Sequence, residues 1–219
     1  MPSAICADAR ATSLTYKRML RIAVLASHEG TTLQSIIDAC EQGRIDGRVV
    51  AVLSNNSGSG ALRRAAAAGI ETFHLSSSTH SSGDSLDAAI RGALQRARAD
   101  IIFLAGYMKR LGPRTLAAFP ARILNTHPAL LPSFKGWHSV RDALEYGVKV
   151  TGCTVFMVDA GTDTGPVIAQ AAVPVRDDDD VPALHERVKV AERVLLVDTV
   201  GAMARGGWSV QGRKVKVGN

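Results

Sequence analysis

Short apolar runs closed by turn residues alternate with longer stretches whose apolar positions recur every three or four residues. The runs RIAVLAS (21–27), VVAVLS (49–54) and DIIFLA (100–105) are continuous and rich in branched side chains. That is the pattern of strands buried on both faces of a parallel sheet. Residues 71–75 form a shorter candidate strand. Helical patterns fall between them at 32–42, 60–68 and 84–99, the last opened by Asp84 as an N-cap. This alternation predicts a parallel sheet with right-handed crossovers, Rossmann-like in its N-terminal half. After residue 121 the rhythm changes. A short strand at 122–125 and a helix at 138–146, ended by Gly147, precede two long strands, 148–158 and 167–175. A helix at 181–204 and a terminal hairpin at 208–217 complete the chain. With no internal repeat, linker or second core, residues 19–219 read as one three-layer α/β/α domain with a mostly parallel sheet. Residues 1–18 read as a disordered extension.

Composition narrows the function classes. An apolar content of 46% with 21% charged residues is ordinary for a globular protein of 219 residues. No stretch approaches the roughly 18 apolar residues that span a bilayer, so a soluble, cytoplasmic protein without a membrane partner is expected. Cys6, Cys40 and Cys153 are odd in number and lack CxxC spacing. Neither a disulfide framework nor a zinc site follows, and a reducing compartment is expected. The net charge of +6 is spread along the chain, without the aromatic or helix-turn-helix signals of nucleic-acid binding. It suits small anionic substrates. The acidic run 177–180 reads as a solvated turn before a helix, because four consecutive Asp residues cannot all face one ion. No metal is expected.

Four segments carry candidate chemistry. Ser27-His28-Glu29-Gly30-Thr31-Thr32-Leu33 joins the first long strand to a helix. A glycine that permits close approach, with Thr hydroxyls beside helix N–H groups, suits a phosphate monoester. The segment is neither GxGxxG nor Walker A, which argues against a dinucleotide or ATP. Asn125 and His127 lie two residues apart, so an extended backbone puts both on one face. Pro128 and Pro132 stiffen the chain beyond them. Asp163 lies in the turn-rich Gly161–Pro166 loop, where it could hold an imidazole if the two loops converge at the sheet's carboxyl edge. Tyr107-Met108-Lys109-Arg110-Leu111 follows another strand and could line a pocket that receives carboxylates. Each segment alone has a plainer structural reading. Together, an amide, an imidazole and a carboxylate suit acyl transfer to a neutral amine, with no covalent enzyme intermediate and no metal.

The residues Gly30-Thr31-Thr32-Leu33-Gln34, Leu104-Ala105-Gly106-Tyr107-Met108, Asn125-Thr126-His127-Pro128-Ala129-Leu130-Leu131-Pro132 and Asp163-Thr164-Gly165-Pro166 resemble the folate-dependent phosphoribosylglycinamide formyltransferases. The likeness runs from about residue 20 to the C-terminus. It implies the formyltransferase fold and transfer of a formyl group from 10-formyltetrahydrofolate, as cosubstrate, to the amine of glycinamide ribonucleotide in purine biosynthesis. Asn125, His127 and Asp163 would be catalytic. Gly30, Thr31 and Thr32 would bind the substrate phosphate, and Glu192 the ribose hydroxyls with Lys189 nearby. Tyr107, Met108, Lys109, Arg110 and Leu111, with Val158, Asp159, Ala160 and Gly161, would surround the folate. A monomer or homodimer is implied.

Four positions depart from the family pattern. Thr32 stands where Asn is common, Phe156 where His is usual, and Lys109 in place of Arg; an Arg expected near Gly83 is missing. The rival readings are a formyltetrahydrofolate hydrolase or another N-formyltransferase of the same superfamily, which carry extra domains. A nicotinamide-dependent oxidoreductase would need the glycine fingerprint that His28-Glu29-Gly30 lacks. A non-catalytic binder of phosphorylated ligands would not need the trio.

Overall fold

The computed structural model describes residues 12–14 and 19–218. Its elements are β1 (Thr12–Leu14), β2 (Leu20–Ala26), α1 (Thr31–Glu41), β3 (Gly47–Ser54), α2 (Gly60–Ala67), β4 (Glu71–His74), α3 (Gly83–Arg96) and β5 (Ile101–Ala105). They are followed by α4 (Pro113–Ala118), β6 (Ile123–His127), α5 (Ser139–Tyr146), β7 (Val150–Met157), β8 (Val167–Pro174), α6 (Val181–Gly206), β9 (Trp208–Gln211) and β10 (Lys214–Val217). Seven strands form one sheet in the order β4-β3-β2-β5-β6-β7-β8. The pairs from β4 to β6 are parallel, whereas β6–β7 and β7–β8 are antiparallel. Strand order reverses between β2 and β5, and such a switch point opens a crevice at the carboxyl ends of the strands.

Alternation along β2 divides the core. Ile22, Val24 and Ala26 pack with Leu33 and Ile36 of α1 and with Leu196, Val200 and Met203 of α6. Ala23 and Leu25 pack on the other face with Ile90, Ala93 and Leu94 of α3. Each fully buried aliphatic side chain contributes about 2 kcal/mol, and with few aromatics these residues carry most of the core. Polar side chains fix the helix starts. Ser59 accepts from Leu62 N–H, Ser82 and Ser85 form a capping box, and Asp180 accepts from Ala183 N–H.

Three features were not read from the pattern. Helix α4 is only six residues long, too short to display a helical period. Its N-terminus is capped from another helix: the carboxylate of Asp87, on α3, accepts from Arg114 N–H (2.7 Å) and Thr115 N–H (3.1 Å). The short strand expected at 122–125 continues to His127, so His127 is held by a ladder rather than by a loop. Within the stretch expected to be a disordered extension, Thr12–Leu14 pair antiparallel with β9. The rest of residues 1–18 lies outside the described residues.

Candidate active site

The turn from β2 into α1 is built around Gly30. Its φ of 72° is left-handed, and a Cβ there would stand 2.7 Å from the Cα of Ala61, so a glycine is required both by conformation and by the close approach of α2. The turn is fixed by Ala61 N–H donating to the His28 carbonyl (3.1 Å) and Arg64 Nε donating to that of Glu29 (2.8 Å). No side chain caps α1, and its first turn holds no acidic residue. Its N-terminal N–H groups and positive dipole end are therefore offered to an anion beside Thr31 and Thr32.

Asn125 and His127 project from the same face of β6 at the carboxyl edge, beyond Ile123. The His127 side chain is only 5% exposed, and its Nδ1 lies 3.5 Å from Oδ2 of Asp163. Its Nε2–H donates to the carbonyl of Phe134 (2.7 Å). The same Asp163 oxygen accepts from Gly136 N–H (3.0 Å). One three-residue strap, Phe134–Gly136, thus holds the ring from one side and the carboxylate from the other. Asn125 Oδ1 accepts from Thr126 N–H (2.9 Å), so toward a ligand this amide acts as a donor through Nδ2.

Asp163 reaches His127 because the β7–β8 loop folds back along β6. Antiparallel pairing ends β7 beside the start of β6, where Met157 faces Leu124 and Val158 N–H donates to the Ile123 carbonyl (2.8 Å). The loop is closed on itself: Asp159 Oδ1 accepts from Gly161 N–H (3.0 Å) and from the Thr164 hydroxyl (2.6 Å). Arg110 Nη2 donates to the Ala160 carbonyl (2.6 Å), which joins this loop to 107–111. Beside them lies a cleft of about 500 Å³, lined by Leu86, Ile90, Tyr107, Lys109, Arg110 and Leu111. The carboxylates Asp84 and Asp87 also line it. They are committed to the Arg114 guanidinium and to the first N–H groups of α4, which leaves Lys109 and Arg110 to meet a partly aromatic anion. Half-burial pushes the Tyr107 hydroxyl pKa up. Ser27 ties the β2 and β5 ends together, accepting from Met108 N–H (2.9 Å) and donating to Asn55 Oδ1 (2.6 Å).

Thr126 points to the opposite face of β6, toward α6, where its side chain hydrogen-bonds Glu192. Removal from water raises the Glu192 carboxyl above its ordinary value, and the Thr126 hydrogen bond partly offsets this. A group with a raised folded-state pKa favours the folded state while protonated and opposes it once ionised. Glu192→Gln is therefore expected to raise the thermal midpoint at neutral pH, with the gain shrinking as pH falls into the ordinary carboxylate range. Melting curves across pH check this; a gain that grows toward acid would contradict it. Lys189 pairs with Glu186, its Nζ 2.7 Å from Oε1, and its charge is also close enough to Glu192 to help hold that carboxyl down.

The remaining sequence-level candidates take plainer places. Phe156 pairs with Asn125 across β6 and β7 and is 2% exposed, so the ring found where the family carries His is a core side chain. Burial pushes the thiols of Cys40 and Cys153 up to about 11, assisted by Glu41 and Glu192 respectively. Neither is a thiolate nucleophile at neutral pH. Cys6 lies outside the described residues. Among the described residues no group of three or more His, Cys, Asp or Glu could hold a metal ion, and no helix is long and apolar enough to cross a membrane.

Sequence reasoning missed the Phe134 carbonyl and the Gly136 N–H. Backbone groups carry no residue signature, and the only hints were the two prolines and the glycine around them.

Residues 20–200 match the family model of the formyl transferases. The chain is 50% identical over 198 residues to the phosphoribosylglycinamide formyltransferase of Mycobacterium tuberculosis, covering 90% of this chain and 91% of that protein. The chain belongs to the phosphoribosylglycinamide formyltransferase family. The crystal structure of glycinamide ribonucleotide transformylase 1 from Symbiobacterium toebii superposes with a TM-score of 0.89 at 44% identity, over 93% of this chain and 96% of that one. A formyltetrahydrofolate deformylase from Pseudomonas syringae shares the fold, with a TM-score of 0.85 at 24% identity over 93% of this chain and 67% of its own.

Proposed function

We propose that this chain transfers the formyl group of 10-formyltetrahydrofolate to the amine of glycinamide ribonucleotide in purine biosynthesis, in a cytoplasmic setting. The observation that carries the reading is the buried His127–Asp163 contact with Asn125 on the same strand face. It lies at an edge that also presents an uncapped helix N-terminus and a cleft with cations at its mouth. The ribonucleotide phosphate would sit on the N–H groups after Gly30, with its ribose toward Glu192. The folate would lie between 107–111 and 158–161.

In the reaction, the neutral amine attacks the formyl carbon and the carbonyl oxygen becomes an oxyanion. Asn125 Nδ2 and a ring N–H of His127 donate to that oxygen, the formyl oxygen replacing the Phe134 carbonyl at Nε2. Asp163 orients the ring and, through water, takes a proton from the attacking amine. That proton passes to the folate nitrogen as its bond to the formyl carbon breaks. Preoriented donors act here without reorganisation at the moment of reaction.

The test is a spectrophotometric assay with 10-formyltetrahydrofolate, run with and without glycinamide ribonucleotide. Deformylation that depends on the ribonucleotide supports the transferase. Turnover without it would mark a hydrolase, the activity named for the Pseudomonas syringae relative. Lys109 offers a point charge where an Arg fork would grip a carboxylate with two bonds. Lys109→Arg is therefore expected to lower KM for the folate while leaving kcat unchanged. An unaltered KM would remove Lys109 from the folate site.

A further inference from the structure

The terminal hairpin lies beyond the residues matched by the family model, and the reaction as written makes no use of it. Its base is anchored. Trp208 is 3% exposed and donates through Nε1 to the Ala121 carbonyl (2.7 Å), β9 pairs with β1, and β10 lies against β8. Its turn therefore projects in a defined direction, toward the loop that carries Asp163. There Arg213 Nη1 donates to the Thr164 carbonyl (2.9 Å) and Nη2 to the Gly165 carbonyl (3.2 Å). One guanidinium holds the two consecutive carbonyls that immediately follow Asp163.

The loop needs such restraint. Asp163 has a φ of 52°, a left-handed conformation that a residue with a side chain keeps where its surroundings hold it there. Asp159 and Arg110 tie the loop at Gly161, Thr164 and Ala160, and Arg213 grips the backbone on the C-terminal side of Asp163. The grip uses the planar fork: two N–H groups meet two oxygens at once, which an ammonium cannot do in the same geometry.

We propose that Arg213 is a positioning residue for formyl transfer, fixing the Thr164 and Gly165 carbonyls so that the Asp163 carboxylate stays directed at His127. This rests on the reading of Asp163 as a catalytic group, and the experiment separates the two.

The experiment measures kcat, both KM values and the kcat–pH profile for Arg213→Ala, Arg213→Lys, Asp163→Asn and the double variant Asp163→Asn/Arg213→Ala. Lys214→Ala, an exposed cation on the same hairpin, serves as the charge control. Arg213→Ala is expected to lower kcat about 10- to 100-fold, the scale of a small misplacement of a reacting group, with both KM values held within about twofold. Its kcat–pH profile should shift, and free guanidinium ion at sub-denaturing concentration should restore part of the rate. Arg213→Lys should fall between Arg213→Ala and the parent. In the Asp163→Asn background the Arg213→Ala loss should vanish, because both act through one carboxylate. An Arg213→Ala variant as fast as the parent, or a loss that persists undiminished on Asp163→Asn, overturns the proposal while leaving Asp163 in place. An Asp163→Asn variant with full activity overturns the catalytic reading itself.

Discussion

An Asn125→Ala variant is expected to lose about 10²–10³ in kcat, the usual effect of removing one preoriented oxyanion donor. KM for both substrates should stay close to the parent value, since the amide meets the formyl oxygen most strongly once charge has developed there. His127→Ala should lose at least as much, because it removes a donor and also leaves Asp163 without the ring it orients. Asp163 Oδ2 would keep Gly136 N–H, but the contact at 3.5 Å to the ring would be gone. The double variant should be scarcely slower than the worse single one, because groups that act as a unit are not additive. Steady-state kinetics beside melting curves decides the matter. A His127→Ala enzyme that keeps most of its kcat would remove the imidazole from the chemistry.

The second large effect is expected at Gly30, and it should be felt in binding. Alanine there must adopt a φ of 72° and place its Cβ 2.7 Å from the Cα of Ala61, so α1 and α2 have to separate. The left-handed conformation alone costs about 1–2 kcal/mol. Separation also moves the first-turn N–H groups that would hold the phosphate. Losing one charge-assisted hydrogen bond is worth about 1.5–3 kcal/mol. KM for the ribonucleotide should therefore rise about 10- to 100-fold, while KM for the folate, on the other side of β2, changes little. Equal rises in both would mean that Gly30 serves the fold and not the phosphate.

How much of this was visible beforehand depended on whether a feature leaves a mark in residue type. The parallel half of the sheet was legible because strands buried on both faces read as unbroken apolar runs, as at 21–27 and 100–105. The pairing of Asn125 with His127 on one face followed from the period of two along a strand. Their meeting with Asp163 did not, because it depends on the direction of β7, which a run of apolar residues does not encode. Helix α4 escaped for want of length, and its cap, Asp87, lies on another element. The grip of Arg110 on Ala160 and of Phe134 on His127 ends on backbone oxygens, which every residue possesses. At Phe156 the departure from the family pattern was plain, but only the ladder opposite Asn125 reveals that the ring belongs to the core.

The β6–β7 ladder, in which Asn125 faces Phe156 and His127 faces Thr154, also acts as a ruler. Sheet faces repeat every two residues, so inserting or deleting a dipeptide in β7 would keep every inward side chain inward and leave the core composition intact. Each residue of extended chain nevertheless covers about 3.4 Å, and the same change would carry Asp163 about 7 Å along the strand, out of reach of His127. The strands on this side of the molecule are held to a fixed length by the chemistry at their ends, a stricter standard than the packing between their faces imposes.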